Sequence, residues 1–208
     1  MQLIGMLDSP YVRRVAISLQ LLGLPFEHRS LSVFRTFDQF RAINPVVKAP
    51  TLICDDGTVL MDSTLILDYA EALAAPKSLM PRPLAERRAA LRTVGLALAA
   101  CEKSVQLVYE NLRPPEKRHE PWAARVLGQM HAAFAELEAD LGKHPPGSRQ
   151  IGAPEVTTAV AWRFTERTLP GILENAVYPQ LRSFSRWAEE LPEFIAAAHG
   201  DGTVRVRT

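Results

Sequence analysis

The residues able to do chemistry gather in short stretches, each at the expected start of a helix or strand. Leu7-Asp8-Ser9-Pro10-Tyr11-Val12-Arg13-Arg14-Val15 follows the apolar run of residues 2–7. It opens a helical pattern in which Val12, Val15, Ala16, Leu19 and Leu22 share one face. Ser9 sits where an N-cap belongs and Pro10 at the first helical position, which ordinary capping explains. The same place, where a strand runs into a helix, also offers free N–H groups and the positive end of a helix dipole. It can therefore hold an anion or favour ionisation of a thiol. Lys48-Ala49-Pro50-Thr51-Leu52 leads into a strand. Lys48 is there either an exposed loop lysine or a cation for a carboxylate. Asp62-Ser63 opens a further helix, with Ser63 expected as its cap and Leu65, Ile66, Tyr69 and Leu73 as its inward face. Lys103, Gln106, Leu107 and Glu110 make a mixed stripe that reads as a cleft wall or as a solvated edge.

Other chemistries find little support. Cys54 and Cys101 are the only cysteines, far apart and without a CxxC, so dithiol exchange within the chain is not expected. The histidines (28, 119, 131, 144 and 199) pair with no second ligand at zinc spacing, and no metal is expected. A formal charge of +1 over 208 residues argues against nucleic acid as a main partner. No apolar run reaches the ~20 residues of a membrane span, and the first residues lack the pattern of a signal peptide. A cytoplasmic protein is the expectation.

The elements that must position these residues fall into two groups. Residues 2–7, 26–31, 51–54 and 59–61 read as strands, the last two flanking the Asp55-Asp56-Gly57 turn. With helices after Ser9, at 37–43 and after Asp62, the order is β-α-β-α-β-β-α. Proline-rich residues 75–83 read as a linker. The boundaries are therefore 1–75 for an α/β domain, 76–83 for the linker and 84–208 for an all-helical domain. In the latter, a helix spans about 84–111 and a second carries Trp122, Val126, Met130, Phe134, Leu137 and Leu141. A loop covers 142–154, and a third helix covers 156–168. Leu181, Phe184, Ala188 and Leu191 mark a fourth helix, Phe194 a short fifth. Residues 203–206 are the one candidate strand in this half.

This arrangement resembles the cytosolic glutathione transferases: a thioredoxin-like α/β domain followed by an all-α domain. The likeness rests on Ser9-Pro10-Tyr11-Val12-Arg13-Arg14, Lys48-Ala49-Pro50-Thr51-Leu52, Asp62-Ser63 with Leu65, Ile66 and Tyr69, and Val156-Thr157-Thr158-Ala159-Val160-Ala161-Trp162. In this order they span essentially the whole chain. The resemblance implies a cis bond before Pro50, with the backbone of Ala49 turned outward to pair with the tripeptide glutathione as a short added strand. It implies Ser9 as the hydroxyl that stabilises the glutathione thiolate, ahead of Tyr11, which falls inside the first helical turn. It implies Ser63 as the holder of the γ-glutamyl carboxylate and Asp62 as the partner of its ammonium. The family more often has Glu at that position, and Asp is one methylene shorter. A second departure lies at Gly152-Ala153-Pro154-Glu155, where the family usually has a reciprocal cap. Gly152 has no side-chain acceptor, a loss on the order of 1 kcal/mol.

The function so implied is a glutathione transferase that conjugates the thiolate to a small hydrophobic electrophile, a detoxifying reaction in which the protein lowers the thiol pKa and holds the reactants close. Glutathione is the co-substrate, and relatives are usually homodimers. Arg87, Arg88 and Arg92 are candidates for a subunit contact or for simple solvation. The alternative is a binding or regulatory protein that keeps the fold without catalysis.

Overall fold

Gly5 ends the first strand earlier than the apolar run suggests. In the computed structural model, which describes residues 1–143, 151–173 and 178–205, β1 covers Gln2–Ile4. Gly5 follows at φ 137, and a Cβ there would stand 2.5 Å from the Val12 side chain. Only glycine allows the chain to leave the ladder so close to the next helix. Met6 and Leu7 are buried in the turn rather than in the sheet. Helix α1 (Pro10–Leu22) buries Val12, Val15, Ala16, Leu19 and Leu22 as its spacing predicts, and Gly23 closes it at φ 77.

Strand β2 (Glu27–Arg29) is parallel to β1, and α2 covers Phe37–Ile43. Strands β3 (Thr51–Ile53) and β4 (Val59–Met61) form the hairpin, and β3 is antiparallel to β1, giving the sheet order β2-β1-β3-β4. Ile4, Thr51 and Met61 lie side by side across three strands. The segments that adjoin them, 5–9, 48–50 and 62–63, therefore emerge at one edge.

Helix α3 (Ser63–Leu73) corrects two expectations. Its N-cap is Asp62, whose Oδ1 accepts the Thr64 N–H at 2.9 Å, and Ser63 is the first helical residue. The inward face is Ser63, Ile66, Leu67 and Ala70, at i, i+3, i+4 and i+7, while Leu65 and Leu73 are exposed and Tyr69 is intermediate. Once Ser63 is turned inward, helical spacing sets the rest of the face.

The chain divides into a unit of residues 1–79 with 189–208 and a second unit of residues 80–188. The first division, between Leu79 and Met80, falls within residues 76–83. The expectation that everything after 84 is one helical domain does not describe residues 189–205, which include α8 (Pro192–Ala196). The reason is Arg13, which is 1% exposed. Its guanidinium holds both carboxylate oxygens of Glu189 at 2.6 and 2.8 Å, and its Nε donates to the Ala197 carbonyl at 2.7 Å. Farther on, Ser30 Oγ donates to the Asp201 carbonyl at 2.7 Å. Residues 203–205 are not a strand, and Val206 lies outside the described residues.

His28 fastens the same tail. Its Nε2 lies 2.7 Å from the Gly5 carbonyl, and Nδ1 accepts the Val204 N–H at 3.1 Å, so the proton of the neutral ring sits on Nε2. Burial lowers the His28 pKa below 6.5, partly offset by the bond to Gly5. Above 6.5 the ring is neutral folded and unfolded, and nothing is lost. As pH falls below that value the unfolded chain takes up the proton first, so the penalty grows down to the lowered folded pKa and then levels off. Thermal melts are expected to show the parent losing more stability between neutrality and about pH 5 than His28→Gln does.

In the second unit α4 (Leu84–Asn111) packs against α5 (Glu120–Gly142) and α6 (Ala153–Thr168), with a 3-10 turn at Pro115–Lys117. Val126, Met130, Phe134 and Leu137 are buried as expected, whereas Trp122 is largely exposed. Trp162 of α6 meets the Phe134 and Tyr178 rings edge-on at 5.4 and 5.8 Å, and Ser104 and Thr165 join their hydroxyls at 2.6 Å. Glu138 accepts the Gln180 and Leu181 N–H groups that start α7 (Pro179–Glu189). Arg92 pairs with Glu136 and Asp140 inside this unit.

The start of α6 keeps half of a capping box: Glu155 accepts the Gly152 N–H at 3.0 Å, and Gly152 returns nothing. Gly152 is extended, at φ −135 and ψ −167, a backbone any residue adopts. Gly152→Thr is expected to add about 1 kcal/mol from the new cap and a less flexible unfolded chain, read as a melting temperature higher by about 2–4 °C. Most of the expected 142–154 loop, residues 144–150, lies outside the described residues.

Candidate functional site

The register of the sheet builds the site. Ile4, Thr51 and Met61 are neighbours, so three loops leave the sheet together. A Cβ on Gly5 would also lie 3.3 Å from that of Ala49, which brings the first two loops into contact.

Ser9 stands at the end of the first loop, extended at φ −71 and ψ 122 and only partly buried. Its Oγ accepts the Val12 N–H over 3.4 Å, a long bond that leaves the hydroxyl proton for another acceptor. Tyr11 lies within the first turn of α1. Asp8 precedes Ser9 on the same loop. Burial pushes its carboxyl up, against the opposing effects of the Ser9 N–H and of Arg35, with Asp201 adding to the rise.

The second loop is fixed by Asn44. Asn44 is buried and donates from Nδ2 to Thr51 Oγ1 at 2.8 Å, while its Oδ1 accepts the Val46 N–H. Thr51 Oγ1 in turn donates to the Lys48 carbonyl at 2.7 Å. The Ala49-Pro50 bond is cis. Pro50 is buried, Ala49 partly so, and Lys48 is exposed.

Asp62 occupies φ 69 and ψ 129, a region that non-glycine residues enter at a cost of about 1–3 kcal/mol. The Thr64 N–H it accepts offsets that strain, and its other carboxylate oxygen is 3.9 Å from Lys48 Nζ. Both side chains are about half exposed, so the pair adds little stability and stays open to a charged ligand. Ser63 is buried, and as the first helical residue its N–H has no acceptor within the helix. Behind it lies Arg14, 4% exposed, whose Nη1 is 3.2 Å from both Ser63 Oγ and Thr64 Oγ1. Arg14 and Thr64 were missed from sequence; a double arginine beside an apolar stripe gives no sign that both side chains are buried.

The structure thus brings Ser9, Lys48, Ala49, Pro50, Asp62 and Ser63 to one edge. The stripe on α4 belongs to the second unit. Leu107 is core, and Glu110 accepts the His119 N–H that starts α5 at 2.7 Å and pairs with Arg113 at 3.1 Å. Glu110 is a structural cap. Among the described residues no group of His, Cys, Asp and Glu could hold a metal ion, and no helix is long and apolar enough to cross a membrane.

An edge with two helix starts and a half-exposed ion pair is suited to a small zwitterion with several charges. Comparison with known proteins agrees in kind. Residues 3–78 match the family model described as the glutathione S-transferase N-terminal domain. A maleylacetoacetate isomerase of Pseudomonas aeruginosa is 28% identical over 206 residues, covering 89% of this chain and 86% of that protein. A glutathione S-transferase of Methylobacterium radiotolerans, solved with glutathione sulfonate, superposes with a TM-score of 0.86 at 26% identity, covering 100% of this chain and 98% of that one. A glutathione transferase family member of Pseudomonas fluorescens Pf-5, solved with bound glutathione, gives 0.80 at 29% identity, covering 94% and 97%.

Proposed function

Taking the glutathione S-transferase fold and enzyme class as the premise, we propose that this chain binds glutathione at the edge formed by residues 5–9, 48–50 and 62–63, ionises its thiol beside Ser9, and joins the sulfur to a small hydrophobic electrophile. The observation that carries the reading is the adjacency of Ile4, Thr51 and Met61, which supports one site made from three loops. Ala49 offers backbone groups for pairing with the cysteinyl residue as an added strand. Lys48 supplies a cation for a carboxylate and Asp62 an anion for the ammonium. Ser63 supplies an N–H and a hydroxyl for the γ-glutamyl carboxylate at the mouth of α3.

Ser9 supplies an O–H donor to sulfur at the positive end of α1, and α1 carries no acidic residue in its first turn to oppose a thiolate. The thiol proton passes to solvent, the thiolate attacks the electrophilic carbon, the carbon–sulfur bond forms, and the bond to the leaving group breaks with its electron pair going to that group. The chain's part is electrostatic stabilisation and orientation. Calorimetric titration with glutathione tests binding, and conjugation of an aryl halide tests turnover. Heat of binding with measurable conjugation supports the reading; no heat and no thermal shift at millimolar ligand contradict it and favour a non-catalytic protein of the same fold. The similarity to a maleylacetoacetate isomerase supports a second reading, isomerisation, which turnover of maleylacetoacetate would distinguish. We also propose a homodimer, in which Arg87 and Arg88 are either solvated or at the contact. Arg92 is already engaged within its own unit.

A further inference from the structure

Arg14 is a buried cation that reaches the start of α3 from behind, and the chemistry of its partners gives it a role in the site. Nη1 lies 3.2 Å from Ser63 Oγ and 3.2 Å from Thr64 Oγ1. A guanidinium only donates, so both hydroxyl oxygens act as acceptors there, and each hydroxyl keeps its own proton for another partner. The Thr64 N–H is already taken by Asp62, and the first helical bond comes from the Ile66 N–H, which leaves the Ser63 and Leu65 N–H groups and the two hydroxyls as donors at this helix start. Ser63 is buried and Thr64 is exposed, so the donors run from the interior to the surface. We infer that Arg14 is a positioning residue that orients the Ser63 and Thr64 hydroxyls toward a carboxylate, and that Thr64 is a second side-chain donor to it.

The inference rests on the reading that Ser63 holds the γ-glutamyl carboxylate. A hydroxyl that accepts from a guanidinium is polarised into a better donor, and a carboxylate bonded to both hydroxyls sits two hydrogen bonds from a full positive charge in a partly desolvated place. Simple bracing of α1 against α3 would account for the bonds but not for any preference among ligands.

The test uses the full chain and two ligands: glutathione, and the analogue in which 4-aminobutyrate replaces the γ-glutamyl residue and so lacks only the α-carboxylate. The parent is expected to prefer glutathione at least tenfold by calorimetry. Arg14→Gln is expected to weaken glutathione about tenfold while moving the analogue by less than about twofold. Thr64→Val, isosteric and at an exposed position, is expected to weaken glutathione about three- to fivefold with the analogue unchanged. It keeps the test alive if Arg14→Gln does not fold. Equal weakening of both ligands, or an undiminished preference in Thr64→Val, overturns the inference and leaves the Ser63 reading standing. A parent without preference between the ligands overturns the Ser63 reading itself, and this inference with it.

Discussion

Arg13→Ala is expected to lower the stability of the first unit by about 3 kcal/mol. The change removes one partner of a buried bidentate ion pair, a step that typically costs about 3–5 kcal/mol. Glu189 is 20% exposed and recovers part of its hydration, which places the expectation at the lower end. The loss is not only of charge. The guanidinium also donates to the Ala197 carbonyl and lies 5.4 Å over the Phe194 ring, so the variant strands a buried carbonyl and uncovers an aromatic face. In a chain of this length the expected drop in melting temperature is about 6–12 °C. Arg13→Lys is expected to recover only part, because an ammonium cannot make the parallel pair of bonds. A double-mutant cycle with Glu189→Ala, read by urea unfolding, is expected to give a coupling above about 1.5 kcal/mol. A coupling below about 0.5 kcal/mol would mean that the ion pair does not hold the tail to α1.

The same arginine shows where sequence reading stopped. The apolar spacing of Val12, Val15, Ala16, Leu19 and Leu22 was enough to place α1 and its buried face, because helix periodicity is local information. Asp55-Asp56-Gly57 was enough for the β3–β4 hairpin, and the order of elements followed. The partner of Arg13 is 176 residues away, and no pattern within a helix encodes that distance. Residues 189–205 therefore read as more of the helical domain, when they are fastened to the first unit through Arg13, Ser30 and His28.

At the start of α3 the observed cap differs from the expected one. Asp62 rather than Ser63 caps α3, because the backbone at φ 69 brings the aspartate carboxylate over the Thr64 N–H. Of the expected inward face Ile66 is buried and Tyr69 partly so, while Leu65 and Leu73 are exposed and Leu67 and Ala70 are buried instead. Glu110 on α4 read as part of a cleft wall or of a solvated edge, because an acid beside apolar neighbours does not show that it accepts the N–H of His119 just before the next helix.

Ser9→Ala is the second large effect, and it falls on rate. Removing a hydrogen bond to a charged sulfur is expected to forfeit about 1.5–3 kcal/mol, a fall of about 10–100-fold in kcat/KM with an aryl halide at neutral pH. Glutathione affinity is expected to stay within a few-fold, since Ser9 makes none of the contacts proposed for the tripeptide's charged ends. Without the hydroxyl the pKa of the bound thiol rises toward its free value. The variant is therefore expected to approach the parent's rate as pH is raised, which a loss of binding or folding would not produce. Equal rates at neutral pH would remove Ser9 from the activating role. The long 3.4 Å bond from the Val12 N–H means that helix α1 loses little capping in the variant, so the kinetic change is separable from a change in stability.

The most direct measurement is the ultraviolet difference spectrum of glutathione mixed with the protein at neutral pH, with S-methylglutathione as the reference ligand that cannot ionise at sulfur. A thiolate absorbance that appears with glutathione, is absent with the S-methyl compound, and titrates well below the free thiol is the predicted result. Glutathione that binds by calorimetry yet shows no thiolate band at neutral pH would contradict the account.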